Sequence, residues 1–248
     1  MLHGLHHAYK KLLLDRRLKQ LGLDELRGFD LPEGEFIAKC WPALKGAHLV
    51  VYDIGASIGK YSAIMAQLPN VREVHAFEPV PASFAALQKV AAKNAKIHAY
   101  PLGLGSSKGE LMMELNECAD CSSLLKMMDR HVVEFPFSSA QTEKIPVRVD
   151  RLDDFVEERA LALPDVLKID VQGFELQVLE GAGRCLSHVQ SMIVEISFVK
   201  LYENAPLFGD VFSRISEMGF NLTGLLSHDQ GPTGEYLQAD AIFGRPTL

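Results

Sequence analysis

From about Leu49 onward, short runs of β-branched and other apolar residues alternate with stretches whose apolar positions recur at helical spacing. The first run, Leu49 to Asp53, reads as a strand, and a helix follows from about Ile58 to Leu68. A second strand covers Glu73 to Glu78. Pro81 then suits the first position of a helix, because its fixed φ is already helical and its missing N–H would be unpaired there anyway. A third strand, about Lys96 to Leu102, ends in a loop rich in Gly and Ser, and Gly109 to Leu115 alternates as an edge strand does. Residues 116–139 read as irregular. Ile145 to Val149 is a short strand followed by a helix from about Arg151, and the strongly apolar strand Val166 to Asp170 precedes a helix from Phe174 to Leu186. Met192 to Ser197, Leu222 to Leu226 and Ala239 to Phe243 complete the strands. This order predicts an α/β fold with a largely parallel sheet and helices on both faces.

Composition narrows the function classes. With 248 residues and 48% apolar composition, the chain can bury one full core. A net charge of −7 argues against a nucleic-acid binder, which needs a basic surface to displace counterions from phosphates. Four cysteines (Cys40, Cys118, Cys121 and Cys185) are too few and too scattered for a disulfide framework. Apolar runs such as Leu49 to Tyr52 are too short to span a bilayer, and the N-terminus has no apolar core with a small-residue cleavage site. The expectation is a soluble cytoplasmic protein. The first 27 residues are basic, with Lys10, Lys11, Arg16, Arg17, Lys19 and Arg27 against Asp15, Asp24 and Glu25. Leu5, Tyr9, Leu12 and Leu13 share one side of a helix there, and Leu14, Leu18 and Leu21 the other. That distribution suits a helix between two protein surfaces, including those of a homodimer, better than one lying on a membrane. The expected division is a basic helical extension over 1–45 and a domain over 46–248.

Three segments carry chemistry. Asp53-Ile54-Gly55-Ala56-Ser57-Ile58-Gly59 sits between the first strand and its helix, where an open α/β sheet delivers ligands. The dinucleotide fingerprint needs glycines at its first, third and sixth positions. Counting from Gly55, the latter two are Ser57 and Lys60, so the pyrophosphate pattern fails. An Asp ahead of Gly-x-Ser-x-Gly instead suits a ligand with an ammonium group and no phosphate. Phe77-Glu78-Pro79 places a carboxylate at the end of the second strand, within reach of ribose hydroxyls. As a strand-end carboxylate it is expected to lie outside the core. Lys168 and Asp170 share one face of a strand, with Lys168 either snorkelling or pairing with a carboxylate. Glu195 follows Met192-Ile193-Val194 in the next strand, so Asp170 and Glu195 are candidates for an acid/base or cation-binding pair, or for a structural one.

Together these segments resemble the FkbM family of S-adenosylmethionine-dependent methyltransferases, from about Val50 to Phe243. The Asp-x-Gly-Ala-Asn-x-Gly pattern appears with Ser57 in the Asn place, and Phe77 to Pro79 matches Phe-Glu-Pro. Lys168 to Glu175 matches the later Lys-Ile-Asp block, and Asp240 to Phe243 matches the ending. After the third strand the family's Ala-Leu-Gly-Asp reads Gly103-Leu104-Gly105-Ser106, without the Asp. The resemblance implies a Rossmann-like class I methyltransferase fold with a seven-strand, mostly parallel sheet. It implies S-adenosyl-L-methionine as cofactor and O-methylation of a sugar, glycolipid or polyketide-like hydroxyl. It also implies cofactor contacts from Asp53, Gly55, Ala56, Ser57, Gly59, Tyr61, Glu78, Pro79, Leu104 and Asp170. Asp170 is the first candidate for the general base, with Glu195 as partner or base, and no metal is expected.

The alternatives are a nicotinamide-dependent oxidoreductase and a non-catalytic S-adenosylmethionine-binding protein. The glycine pattern counts against the former, and intact Glu78 and Asp170 against the latter. Cys118-x-x-Cys121 has the spacing of half a zinc site, but no second pair follows. His131 and His228 are expected in long, polar connections that could serve acceptor binding, but lone loop histidines are more often solvated and neither is given a catalytic role.

Overall fold

A computed structural model of the chain describes residues 11–16, 19–20, 48–116, 121–135, 138 and 143–246. In chain order the elements begin with β1 (Leu49–Ile54), α1 (Lys60–Met65), β2 (Val71–Phe77), α2 (Pro81–Ala91), β3 (Ile97–Tyr100), β4 (Gly103–Leu104) and β5 (Gly109–Leu115). They continue with α3 (Asp129–Glu134), β6 (Glu143–Asp150), α4 (Leu152–Glu158), β7 (Val166–Ile169), α5 (Glu175–Gly181) and α6 (Gly183–Leu186). The last four are β8 (Ser191–Ser197), α7 (Phe208–Glu217), β9 (Asn221–Gln230) and β10 (Tyr236–Gly244).

Seven strands form the main sheet in the order β3-β2-β1-β7-β8-β10-β9. All pairs from β3 to β8 are parallel, while β10 runs antiparallel to both β8 and β9. Alternation along β1 sends Leu49 and Val51 into one core and Val50, Tyr52 and Ile54 into the other. The first core is closed by Tyr61, Ile64 and Met65 of α1 and Leu87 of α2. The second is closed by Leu152 and Phe155 of α4, Val178 and Leu179 of α5, and Val211 and Ile215 of α7. Helices therefore cover both faces, as the periodicity predicts.

The structure departs from the sequence reading in three places. The runs 109–115 and 145–149 do not join the main sheet. They belong to a separate three-stranded sheet, order β4-β6-β5, with a small core of Val80, Met113, Val147 and Val149. Alternation identifies a strand but not its partner. The stretch expected to be irregular holds α3, anchored by buried His131, and a bridge from Met127 to Tyr202. The helix expected over Phe174 to Leu186 is two. At Gly181 a side chain would come within 2.0 Å of the Gly105 carbonyl oxygen. The Asp153 carboxylate then caps the second piece, accepting from the N–H groups of Arg184 at 3.0 Å and Cys185 at 2.9 Å.

Most of the extension over 1–45 lies outside the described residues. Within it, residues 11–16 and 19–20 are helical; Leu14 is buried in the first core, and Leu12 and Leu13 are exposed. No helix among the described residues is long and apolar enough to cross a membrane.

Candidate active site

The chain steps outward from β1 to β2 and β3, then returns to the far side of β1 as β7. The strand order reverses there, and the loops after β1 and β7 diverge to leave a crevice at the carboxyl edge. A cavity of about 230 Å³ occupies it. Three of the loop residues after β1 are left-handed, Gly55 at φ 78°, Ser57 at φ 47° and Gly59 at φ 84°. Asn tolerates that conformation well, which accounts for the family's preference at the Ser57 place. The N–H groups of Gly55 and Ala56 both donate to the Phe77 carbonyl at 3.0 Å, tying the loop to the end of β2.

Glu78 completes that tie. Its Oε2 accepts from the Ser57 N–H and its Oε1 from the Val80 N–H, both at 2.8 Å. These two bonds fix the side chain in the cavity wall. Glu78 is only 5% exposed, contrary to the expectation of a carboxylate outside the core. The loop needs it as an acceptor for its own backbone.

Asp170 follows β7 and takes two donors: Lys168 Nζ reaches Oδ2 at 3.0 Å, and Gln172 Nε2 reaches Oδ1 at 3.1 Å. The same Gln172 nitrogen donates to Glu195 Oε2 at 2.8 Å, so one amide joins the two carboxylates. Gln172 is left-handed, at φ 54°. Its side-chain Oε1 accepts from the Tyr202 phenol at 2.9 Å, and that phenol lies 3.2 Å from His131 Nε2. Burial of Lys168 alone would favour its neutral form. The carboxylates of Asp170, Asp53 and Asp240 reverse this and hold its pKa above the ordinary lysine value. Lys168 therefore pairs with carboxylates and does not snorkel.

Glu175, at the start of α5, is buried, and its Oε1 accepts from the Gly173 N–H at 2.9 Å. Burial pushes its carboxyl up to about 7, against backbone donors that pull it down. Because the folded value lies above the unfolded one, its contribution to stability is fully present below about pH 4.5 and is lost as pH rises through about 7. Glu175→Gln, which keeps an acceptor oxygen but cannot ionise, should gain in Tm relative to wild type between about pH 5 and pH 8. A constant Tm difference across that range would show that Glu175 does not titrate there.

The cavity unites most of the expected residues: Gly55, Ser57, Glu78, Pro79, Leu104, Asp170 and Glu195 all line it. Asp53, Ala56, Gly59 and Tyr61 do not. Asp53 was expected to meet an ammonium group, but its side chain is fully buried, accepting from Ser62 Oγ at 2.6 Å with Lys168 3.9 Å away. Burial raises its pKa, opposed by Lys168 and Ser62. Ala56 and Tyr61 pack in the first core. A side chain at Gly59 would meet Leu87 at 2.7 Å, so its smallness serves the approach of α2. Sequence reasoning missed the bridging role of Gln172, and also Tyr202 and Gln238. Gln172 stood inside a quoted motif, but its conformation was not legible there. Cys118 lies outside the described residues, as does the His228 side chain; His131 is buried beneath Tyr202 and does not line the cavity.

Comparison with known proteins places these features. Residues 53–222 match the model of the methyltransferase FkbM domain. The hexuronic acid methyltransferase AglP of Haloferax volcanii is 32% identical over 149 residues, covering 59% of this chain and 55% of that protein. The 2-O-methyltransferase NoeI of Sinorhizobium fredii is 24% identical, covering 62% of this chain and 65% of that one. The chain thus spans between half and two thirds of these relatives. Among solved structures, methyltransferase FkbM from Methylobacillus flagellatus aligns with a TM-score of 0.51 at 17% identity, over 95% of this chain and 59% of that one, and so supports the fold. The family match makes S-adenosyl-L-methionine the cofactor, and the cavity fits it: among the described residues the carboxyl side chains of Glu78, Asp170 and Glu195 and no lysine or arginine line the walls, which suits a cation and not a pyrophosphate. With its matching segment covering more than half of the sequence, the chain belongs to the FkbM family of methyltransferases.

Proposed function

We propose that this protein methylates a hydroxyl group of a sugar, glycolipid or polyketide-like small molecule. The observation that carries the reading is Asp170, set by Lys168 and Gln172 in the wall of the same cavity that Gly55, Ser57 and Glu78 line. The names of AglP and NoeI, a hexuronic acid methyltransferase and a 2-O-methyltransferase, point to acceptors of this class.

S-Adenosyl-L-methionine supplies an electrophilic methyl group on a sulfonium. Glu78 would accept hydrogen bonds from its ribose, and Gly55 and Ser57, which line the same cavity, would wall the adjoining space. Asp170 accepts the proton of the acceptor hydroxyl, a contribution of about 100- to 10,000-fold for a well-placed base. Positioning of the two reactants by the cavity supplies much of the remainder.

An acceptor screen with isotopically labelled cofactor, run over sugars, nucleotide sugars and hydroxylated small molecules, tests the reading directly. Failure to label any hydroxyl compound, with cofactor binding intact, would sink it in favour of a non-catalytic binder. Glu78→Ala tests the cofactor half: S-adenosylhomocysteine should bind roughly 10- to 100-fold more weakly, because charge-assisted hydrogen bonds are worth about 1.5–3 kcal/mol. Tm should also fall, since Ser57 and Val80 lose the acceptor for their N–H groups. Unchanged affinity by calorimetry would defeat the ribose assignment.

A further inference from the structure

Asp170 and Glu195 share one amide but have unlike surroundings. Asp170 holds a lysine ammonium on one oxygen and the Gln172 amide on the other. Glu195 Oε2 accepts only from neutral amides, Gln172 at 2.8 Å and Gln238 at 3.1 Å. Its Oε1 takes no hydrogen bond among the described residues, and Glu195 lines the cavity. Lys168 is directed at Asp170 and Asp53. The charged and titratable groups facing Glu195 are Asp170 and Lys168 from β7 and its end, Asp240 from β10, Glu175 from α5, and the Tyr202 phenol. Asp240 stands directly opposite it in the strand register.

Resting on the methyl-transfer reading above, we propose that Glu195 stands as a neutral carboxylic acid whose Oε1 hydroxyl donates to an acceptor oxygen beside the hydroxyl that Asp170 deprotonates. The site therefore takes acceptors that carry two neighbouring oxygens, such as the vicinal diol of a sugar ring. Two features support the neutral form. Gln172 and Gln238 satisfy Oε2, while Oε1 of this cavity-lining residue has no donor among the described residues. Burial, followed by the charges of Asp170, Asp240 and Glu175, raises the Glu195 carboxyl well above the usual range, and Lys168 only partly opposes this. In the transfer the acceptor proton passes to Asp170. The acceptor oxygen forms the new O–C bond as the S–C bond breaks, its electron pair remaining on sulfur. Glu195 keeps its proton throughout, so it reads the neighbouring oxygen and is not itself the base.

Infrared difference spectroscopy of the full chain, wild type against Glu195→Gln at neutral pH, should show the C=O band of a protonated carboxyl group. A carboxylate band in its place overturns the proposal. This arm needs no turnover, so its failure is distinct from failure of the acceptor screen, and it decides alone if the screen finds nothing. With an acceptor in hand, the analogue lacking the neighbouring oxygen should lose about 10-fold or more in kcat/KM, mainly through KM, because a buried donor is left unpaired. Equal rates would remove the vicinal-oxygen specificity. The wild-type rate should fall at alkaline pH as Glu195 ionises, and Glu195→Gln should lose that limb. Inactivation of the wild type by a chelator would mean that the two carboxylates hold a cation, and would also overturn the proposal.

Discussion

Asp170→Asn should lower turnover of a verified acceptor by about 100-fold or more, with a much smaller loss of S-adenosylhomocysteine affinity. The amide keeps the size of the carboxylate and one acceptor oxygen, so the cavity wall changes little. It removes the basicity needed to take the acceptor proton. It also removes the nearer ionic partner of Lys168, leaving Asp53 at 3.9 Å, so Tm should fall although the chain still folds. Circular dichroism and calorimetry on the same preparation separate these effects. If a folded Asp170→Asn protein turned over at the wild-type rate, Asp170 would be structural and the base would have to be sought elsewhere.

Gly55→Ala should damage both binding and turnover, by a different route. A β-carbon at Gly55 would lie 1.8 Å from the Asp170 carbonyl oxygen, a backbone atom with no soft rotation to relieve it. The φ of 78° adds left-handed strain of about 1–3 kcal/mol for a non-glycine residue. The loop after β1 and the end of β7 must separate, which moves Ser57 from Glu78 and shifts Asp170 together. Cofactor affinity should fall by about 10-fold or more, turnover with it, and Tm should drop measurably. Retention of wild-type affinity would mean that the two loops are less tightly opposed than this structure has them.

Much of this site was visible in the sequence, because the signals are local. The apolar run of β1 followed by Asp53-Ile54-Gly55, the Phe77-Glu78-Pro79 ending of β2 and the Lys168-Ile169-Asp170 ending of β7 each specify a strand and its carboxyl-edge residue. An α/β sheet then gathers those edges in one crevice. Asp53 shows where local reasoning stops. The motif marks an acidic residue, but the pleat of β1 and the hydroxyl of Ser62, one helical turn into α1, turn it beneath the loop. A one-dimensional pattern distinguishes a strand end from a helix start; it does not distinguish a carboxylate facing the ligand from one buried behind it.

The linear order of residues was enough for the α/β class, for the alternation that divides β1 between two cores, and for the motifs that place the chain in its family, since each depends on neighbours within a few positions. Pairing was not legible in that order. Residues 109–115 and 145–149 carry the same period-two pattern as main-sheet strands, yet they assemble into a second sheet around Met113 and Val147. Nor could spacing reveal that Gln172, turned left-handed, would join carboxylates from β7 and β8, or that Tyr202 would cross to meet it and His131. Those contacts link residues far apart in the chain. Their geometry follows from the packing of strands, helices and loops together, whose competing arrangements no local window of residues can rank.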